Sequence, residues 1–243
     1  MDRNLTLMIG LLALASGVTV WWMERSKFSP EEFQSSKTGL HKRVLAMELV
    51  RNGEEVEEIV GPKGHPNRET MRARVQRDFF FIASYSLLFA ALGWLMARGG
   101  SSWAIPVGVA IALCAAGAAV FDVIENLRIL QLLDAQPSDT TLALLAGPRG
   151  PSLIKWALIF VTTALISPIC FLRRELFALP WGPRGLSDVF GAIIALAYML
   201  SAVIGLIGLK WNPLIEKANG LMALALLLTV LLLLITFFAP ARG

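Results

Sequence analysis

The sequence predicts an all-α polytopic membrane protein: a bundle of about six transmembrane helices with a helical polar loop between the first and second. Three observations carry that prediction. Six apolar stretches recur along the 243 residues, each close to the roughly 20 residues needed to cross about 30 Å of hydrocarbon. Of all residues 56% are apolar and 16% charged, where a soluble domain has about a quarter charged, and the mean hydropathy is +0.63. Trp21, Trp22, Trp94, Trp103, Trp156, Trp181 and Trp211 fall near the ends of the stretches, as expected for amphipathic rings at head-group level. The chain therefore reads as a single membrane domain, 1–243, with a polar interfacial loop inserted at 23–77.

The first span is expected at Leu5 to Trp22. Arg3 ahead of the run and Ala13-Leu14-Ala15 within it also fit a cleaved leader, but the run continues through Val18, Val20 and the tryptophan pair, so the helix is read as retained. The following loop is too short and too poor in apolar residues to bury much of a core alone. Within it His41 to Val50 has amphipathic helical spacing and Asn52-Gly53 interrupts it, Glu54 to Val60 forms a second short helix, and Gly61 to Pro66 is turn chemistry. Asn67 is then placed to cap a helix running through Arg77 into the second span. These loop helices are expected on the membrane face. Glu54, Glu55, Glu57 and Glu58, with Arg68, Arg72, Arg74 and Arg77, read as a solvated face whose arginines touch lipid phosphate.

The second span is expected at Phe79 to Ala97 and the third at Ala104 to Leu133. The third is longer than a crossing requires, so the part after Phe121 reads as emerging into the interface. Gly108, Ala112, Ala115, Ala116 and Ala119 give it a small-residue face for close packing. The fourth span, Ile154 to Leu172, contains Thr162, Thr163 and Ser167, which with Ser201 suit back-bonding or helix–helix contact, and Pro168, which predicts a bend. The fifth runs from Val189 to Leu209. The sixth, Leu221 to Phe238, is almost uniformly bulky, as a lipid-facing peripheral helix would be.

Lysines and arginines set the expected orientation. One side carries Arg3, Arg98, Arg173, Arg174, Arg184 and Arg242; the other carries eleven between Arg25 and Arg77, then Arg149, Lys155, Lys210 and Lys217. The second side, including the long loop, is expected to be cytoplasmic. The net charge of +4 is spread among loops and interleaved with acids, which points to anionic lipid head groups rather than nucleic acid.

The candidate site is polar and sits at span ends. Asp78 begins the second span, while Asp122, Glu125 and Asn126 interrupt the end of the third, and antiparallel neighbours place all four at one membrane surface. Positions i, i+3 and i+4 share a helix face, which groups Asp122, Glu125 and Asn126 and aligns Asp78 with Ile82 and Tyr85. Acids near hydrocarbon are functional-site candidates by default. Three converging carboxylates must hold a proton, recruit a cation or pair with a base, and Arg74, Arg77, Lys155 and Lys217 are expected on that surface. The alternative is structural: Asp122 bonded to Tyr85 or Asn126, Glu125 to an arginine, and Asp78 flanking a helix start.

Other chemistry is thin. His41 and His65 lack zinc-site spacing, Cys114 and Cys170 fall in different spans, and phosphate-loop, H-E-x-x-H and G-x-S-x-G patterns are missing. No residue pattern assigns a cofactor or a metal. Asp78-Phe79-Phe80-Phe81-Ile82-Ala83-Ser84-Tyr85 and Asp122-Val123-Ile124-Glu125-Asn126, preceded by Glu48-Leu49-Val50, resemble the paired D-F-x-F-I-x-x-Y and D-x-x-E-N motifs of an uncharacterised family of bacterial multi-pass membrane proteins. The resemblance spans roughly residues 45–130 and implies a bacterial inner membrane location, with no activity or substrate attached. Three readings of function follow: binding of a lipid head group, cation or small amphiphile at the carboxylate cluster; a structural or accessory subunit with a membrane-protein partner; or a lipid-modifying enzyme using Glu125 as base and Asp122 as metal ligand or proton partner.

Overall fold

Long apolar runs with few internal breakers become long helices, and the loop sequences punctuate them. The computed structural model describes residues 3–28, 33–98, 102–135, 147–172 and 184–238; Trp181, Arg173, Arg174 and Arg242, named above, lie outside these. The described residues form α1 (Arg3–Glu24), α2 (Arg43–Glu48), α3 (Gly53–Val60), α4 (Pro66–Ala97), α5 (Ala104–Asp134), α6 (Arg149–Leu172), α7 (Arg184–Gly208) and α8 (Pro213–Phe238). Six of them are long and apolar enough to cross a membrane. Their contacts run α1 to α4, α5, α6, α7, α8 and back to α1, so the spans form a closed ring and the chain is an all-α polytopic bundle.

The loop 23–77 caps one end of this ring. Asn52 starts α3, its Oδ1 accepting from the Glu55 amide at 2.9 Å, while the Glu55 carboxylate accepts from the Arg51 amide at 2.9 Å, a reciprocal capping arrangement. Gly61, at φ 78°, ends the helix. The start of α4 differs from expectation: the imidazole Nδ1 of His65, rather than Asn67, accepts the Asn67 amide at 3.2 Å, and Pro66 occupies the first turn, where a missing N–H costs nothing.

The cap helices turn their apolar faces to protein, where the sequence suggested the membrane surface. Leu40, Met47, Leu49, Ile59, Val60 and Met71 are fully buried in one cluster with Ile129, Leu132 and Leu133 of α5 and Trp156 and Phe160 of α6. The reason is length. At 1.5 Å per residue α4, with 32 residues, and α5, with 31, run to about 45–48 Å, well beyond the hydrocarbon. Their overhang supplies the apolar partners that the loop lacks. The end of α5 is accordingly wrapped by the cap rather than released into the interface.

The arginines, too, are spent on protein. Arg68 donates to the carbonyls of Gly61 and Leu133 at 3.0 and 3.2 Å. Arg74 makes two 3.0 Å bonds to Glu24 and a 2.7 Å bond to the Ser26 carbonyl, and Arg77 reaches the Trp22 carbonyl and Ser26. Carbonyls left over at and just past helix ends take donors, and a forked guanidinium serves two partners at once.

Trp21, Trp22, Trp94, Trp103 and Trp211 are exposed as the interfacial reading requires, but Trp156 is buried. Of the small-residue face, Gly108 and Ala115 are buried against neighbours while Ala116 is exposed. Ser167 and Ser201 bond across helices, to the carbonyls of Ala195 and Ala218 at 2.7 and 2.9 Å, whereas Thr162 and Thr163 bond within α6. That helix continues through Pro168. α8 is less peripheral than its composition suggested. Leu224, Leu227 and Leu231 face outward, but Ala218, Ala225 and Leu233 are buried because α8 closes the ring between α7 and α1.

Candidate functional site

Lys155 is the centre of the polar site. It stands two turns into α6, a helix that is otherwise apolar at this depth, and is 3% exposed. Its ammonium lies 2.8 Å from Glu125 Oε1, 3.1 Å from Asp122 Oδ1 and 3.2 Å from Glu48 Oε2. Glu125 and Asp122 project from one edge of α5, as their spacing predicts, and Glu48 is delivered from above by the last turn of α2. Three carboxylates thus share one cation in a dry environment, where an ion pair is tolerated only if nearly every partner is satisfied.

Neutral groups complete the set. Tyr85 donates its hydroxyl to Asp122 Oδ2 at 2.9 Å, and Asn126 donates its amide to Asp78 Oδ2 at 2.8 Å. Trp156 donates its indole N–H to Glu48 Oε2 at 2.8 Å, which explains why this tryptophan is inside. Ser152 donates to the Glu48 carbonyl at 2.8 Å, anchoring the end of α2 to α6. The structure therefore brings together all five residues singled out from sequence, Asp78, Tyr85, Asp122, Glu125 and Asn126. Of the four bases expected nearby, Lys155 is the partner; Arg74 and Arg77 serve the cap.

Glu48 and Trp156 were missed as members of the site. Glu48 carried a signal, since it is the lone acid inside the apolar run Val44 to Val50; Trp156 carried a misleading one, because its position at a span end matched an interfacial anchor. Burial pushes the Glu48 carboxyl above its ordinary value, opposed by the neighbouring Lys155 ammonium and reinforced by Asp122. A raised folded-state value means a stabilising contribution that is full below the unfolded value of about 4.3 and lost as pH rises through the folded one. Glu48→Gln retains an acceptor for Trp156 and removes the titration. Its melting temperature, compared with that of the native protein between about pH 4 and about pH 8 in lipid, should gain on the native value as pH rises; a constant difference would show that Glu48 titrates normally.

A cavity of about 1210 Å³ reaches this cluster. It lies between α1, α4 and α8 beneath the cap, and Asp78, Asp122, Asn126 and Lys155 face its inner end. Along α1 it extends from Gly10 to Glu24, about 21 Å at 1.5 Å per residue. Its walls are largely apolar, with Leu88, Phe89, Val230 and Leu234 among them. Leu14, Val18, Trp21 and Leu227 also line it and are exposed on the ring's outer surface, so the cavity opens sideways between α1 and α8.

Among the described residues, no group of three His, Cys, Asp or Glu side chains is arranged to hold a metal ion, and Cys114 and Cys170 are free thiols. No family model, curated protein or solved structure matches the chain.

Proposed function

We propose that this protein binds an amphiphile, with the apolar part in the trough between α1 and α8 and the polar head at the cluster around Lys155. One observation carries the reading: a single cavity joins exposed apolar lips at membrane depth to a buried polar end. Ligand pockets combine mainly apolar walls with a few placed polar groups, and a lateral opening admits a molecule already dissolved in the bilayer. The bacterial inner membrane is the proposed location, with the cap on the cytoplasmic side; the excess of lysine and arginine in 23–77 supports that orientation.

Gly17 supplies the test. It lines the cavity, and a Cβ built on it meets nothing within 4 Å, so a side chain can start there in open space beside the cavity. Gly17→Trp should lower the occupancy of co-purified amphiphile about tenfold, equivalent to about 1.4 kcal/mol, while leaving thermal unfolding of the ligand-free protein unchanged. Native mass spectrometry of both proteins from lipid nanodiscs reads the outcome. An identical set of bound molecules would remove the trough from consideration.

A further inference from the structure

The charge count at the inner end of the cavity identifies the head group, on the assumption that the trough is an amphiphile site. Three carboxyl groups, Glu48, Asp122 and Glu125, contact one ammonium, Lys155, and a fourth, Asp78, is bonded to Asn126. The remaining partners, Tyr85, Asn126 and Trp156, are neutral. Along α4, Arg74, one turn before Asp78, is already held in two bonds to Glu24, and Arg77 is held by the Trp22 carbonyl and Ser26. Glu125 Oε2 is buried without a hydrogen-bond partner, in a residue only 1% exposed. The cluster is thus short of both positive charge and donors, and in a desolvated site that deficit favours a cation.

Geometry directs the deficit toward the cavity. Asp78 and Asp122 line it; of the bases that line it with them, Lys155 is bonded to Asp122, Arg74 to Glu24 and Arg43 to the Ile59 carbonyl. Phe81, Tyr85 and Phe89 follow along the same face of α4, their ring centroids 5.3 and 6.3 Å apart, and all three line the cavity. Aromatic faces attract cations, more strongly when water is excluded. At the cap end His41, Lys42 and Arg43 also line the cavity, and Arg43 donates to the Ile59 carbonyl and lies over the Phe33 ring.

We infer that the ligand carries an ammonium head, primary or quaternary, on an apolar chain, seated between Asp78 and Asp122 with the chain lying along α1.

The test compares three probes of equal chain length, dodecylamine, dodecanol and dodecyl sulfate, bound to the full-length protein in phosphatidylcholine nanodiscs. Binding to Gly17→Trp is subtracted to remove partition into the bilayer. The amine should bind about tenfold more tightly than the alcohol, and the sulfate more weakly than either. Asp78→Asn, which keeps a side chain able to meet Asn126 and leaves Lys155 untouched, should abolish most of the amine's advantage over the alcohol. Alcohol and amine binding equally, or sulfate binding best, would overturn the ammonium assignment while the trough remained an amphiphile site. If no probe distinguishes the native protein from Gly17→Trp, both readings fall together.

Discussion

Replacing Lys155 with methionine should cost about 3–5 kcal/mol of stability, the scale on which removing one partner of a buried ion pair is felt. Methionine fills a similar volume, so the loss is electrostatic rather than a cavity effect. Glu125, Asp122 and Glu48, at 1%, 5% and 6% exposure, would be left without the cation they share. Two further observations would identify this cause. Adding Glu48→Gln, Asp122→Asn and Glu125→Gln to the methionine variant should recover part of the stability, because a buried amide costs less to desolvate than a stranded carboxylate. Acidification should narrow the gap between native protein and Lys155→Met, because burial favours the protonated form of Glu48 and the ammonium no longer opposes it. Reversible unfolding in mixed micelles or nanodiscs measures all three. A single-variant loss below about 1 kcal/mol, the worth of an exposed pair, would show that the cluster is not held by this lysine.

Gly108→Val should be the next most damaging change, at about 1–3 kcal/mol or more. On α4 and α5 the backbones meet at Gly93 and Gly108: a Cβ on Gly108 would strike the Gly93 carbonyl and come within 2.7 Å of Ala97 Cβ, and one on Gly93 would lie 2.7 Å from the Gly108 carbonyl. Backbone cannot step aside as a side chain does, so the helices must separate. Separation also reaches the polar site, because the Tyr85 to Asp122 bond crosses the same pair of helices. Gly117→Ala is the control on the same helix, where the nearest atom is the flexible end of Leu158 at 3.1 Å. Equal unfolding free energies for the two variants would show that close backbone approach is not what joins α4 to α5.

How much of this was legible beforehand depends on the range of the signal. The six spans were readable because membrane crossing is a local requirement on about 20 consecutive residues, and Asp122, Glu125 and Asn126 because helical spacing puts them on one edge. Asp78 and Tyr85 joined them through one further step, the antiparallel order of neighbouring spans. Lys155 was visible only as one of four bases on the right surface, since nothing local distinguishes a lysine reaching inward from one reaching to a head group. Glu48 stood out locally as a lone acid in an apolar run, but its partner was out of range. Its role depends on the cap folding back over α6, a contact spanning 107 residues, and the amphipathic pattern of α2 is the same whether the apolar face meets lipid or protein. The cap arginines were misread for a related reason: a guanidinium facing phosphate and one facing a helix-end carbonyl have the same sequence neighbourhood.

The position of Lys155 has a consequence for biogenesis. The chain is made from its amino terminus, so Glu48, Asp122 and Glu125 are all synthesised before the cation that neutralises them. The 30 residues from Glu125 to Lys155 take about 2–6 s at ~5–20 residues per second. For that interval α5 carries two unmatched acids, and a deep carboxylate in lipid is expensive. Their place in the later part of a 31-residue helix lets α5 wait with this end in the head-group layer. Only with α6 in place can Lys155 pair the acids of α5 and of the cap, so the charge order of the chain puts the acids before the base that joins them.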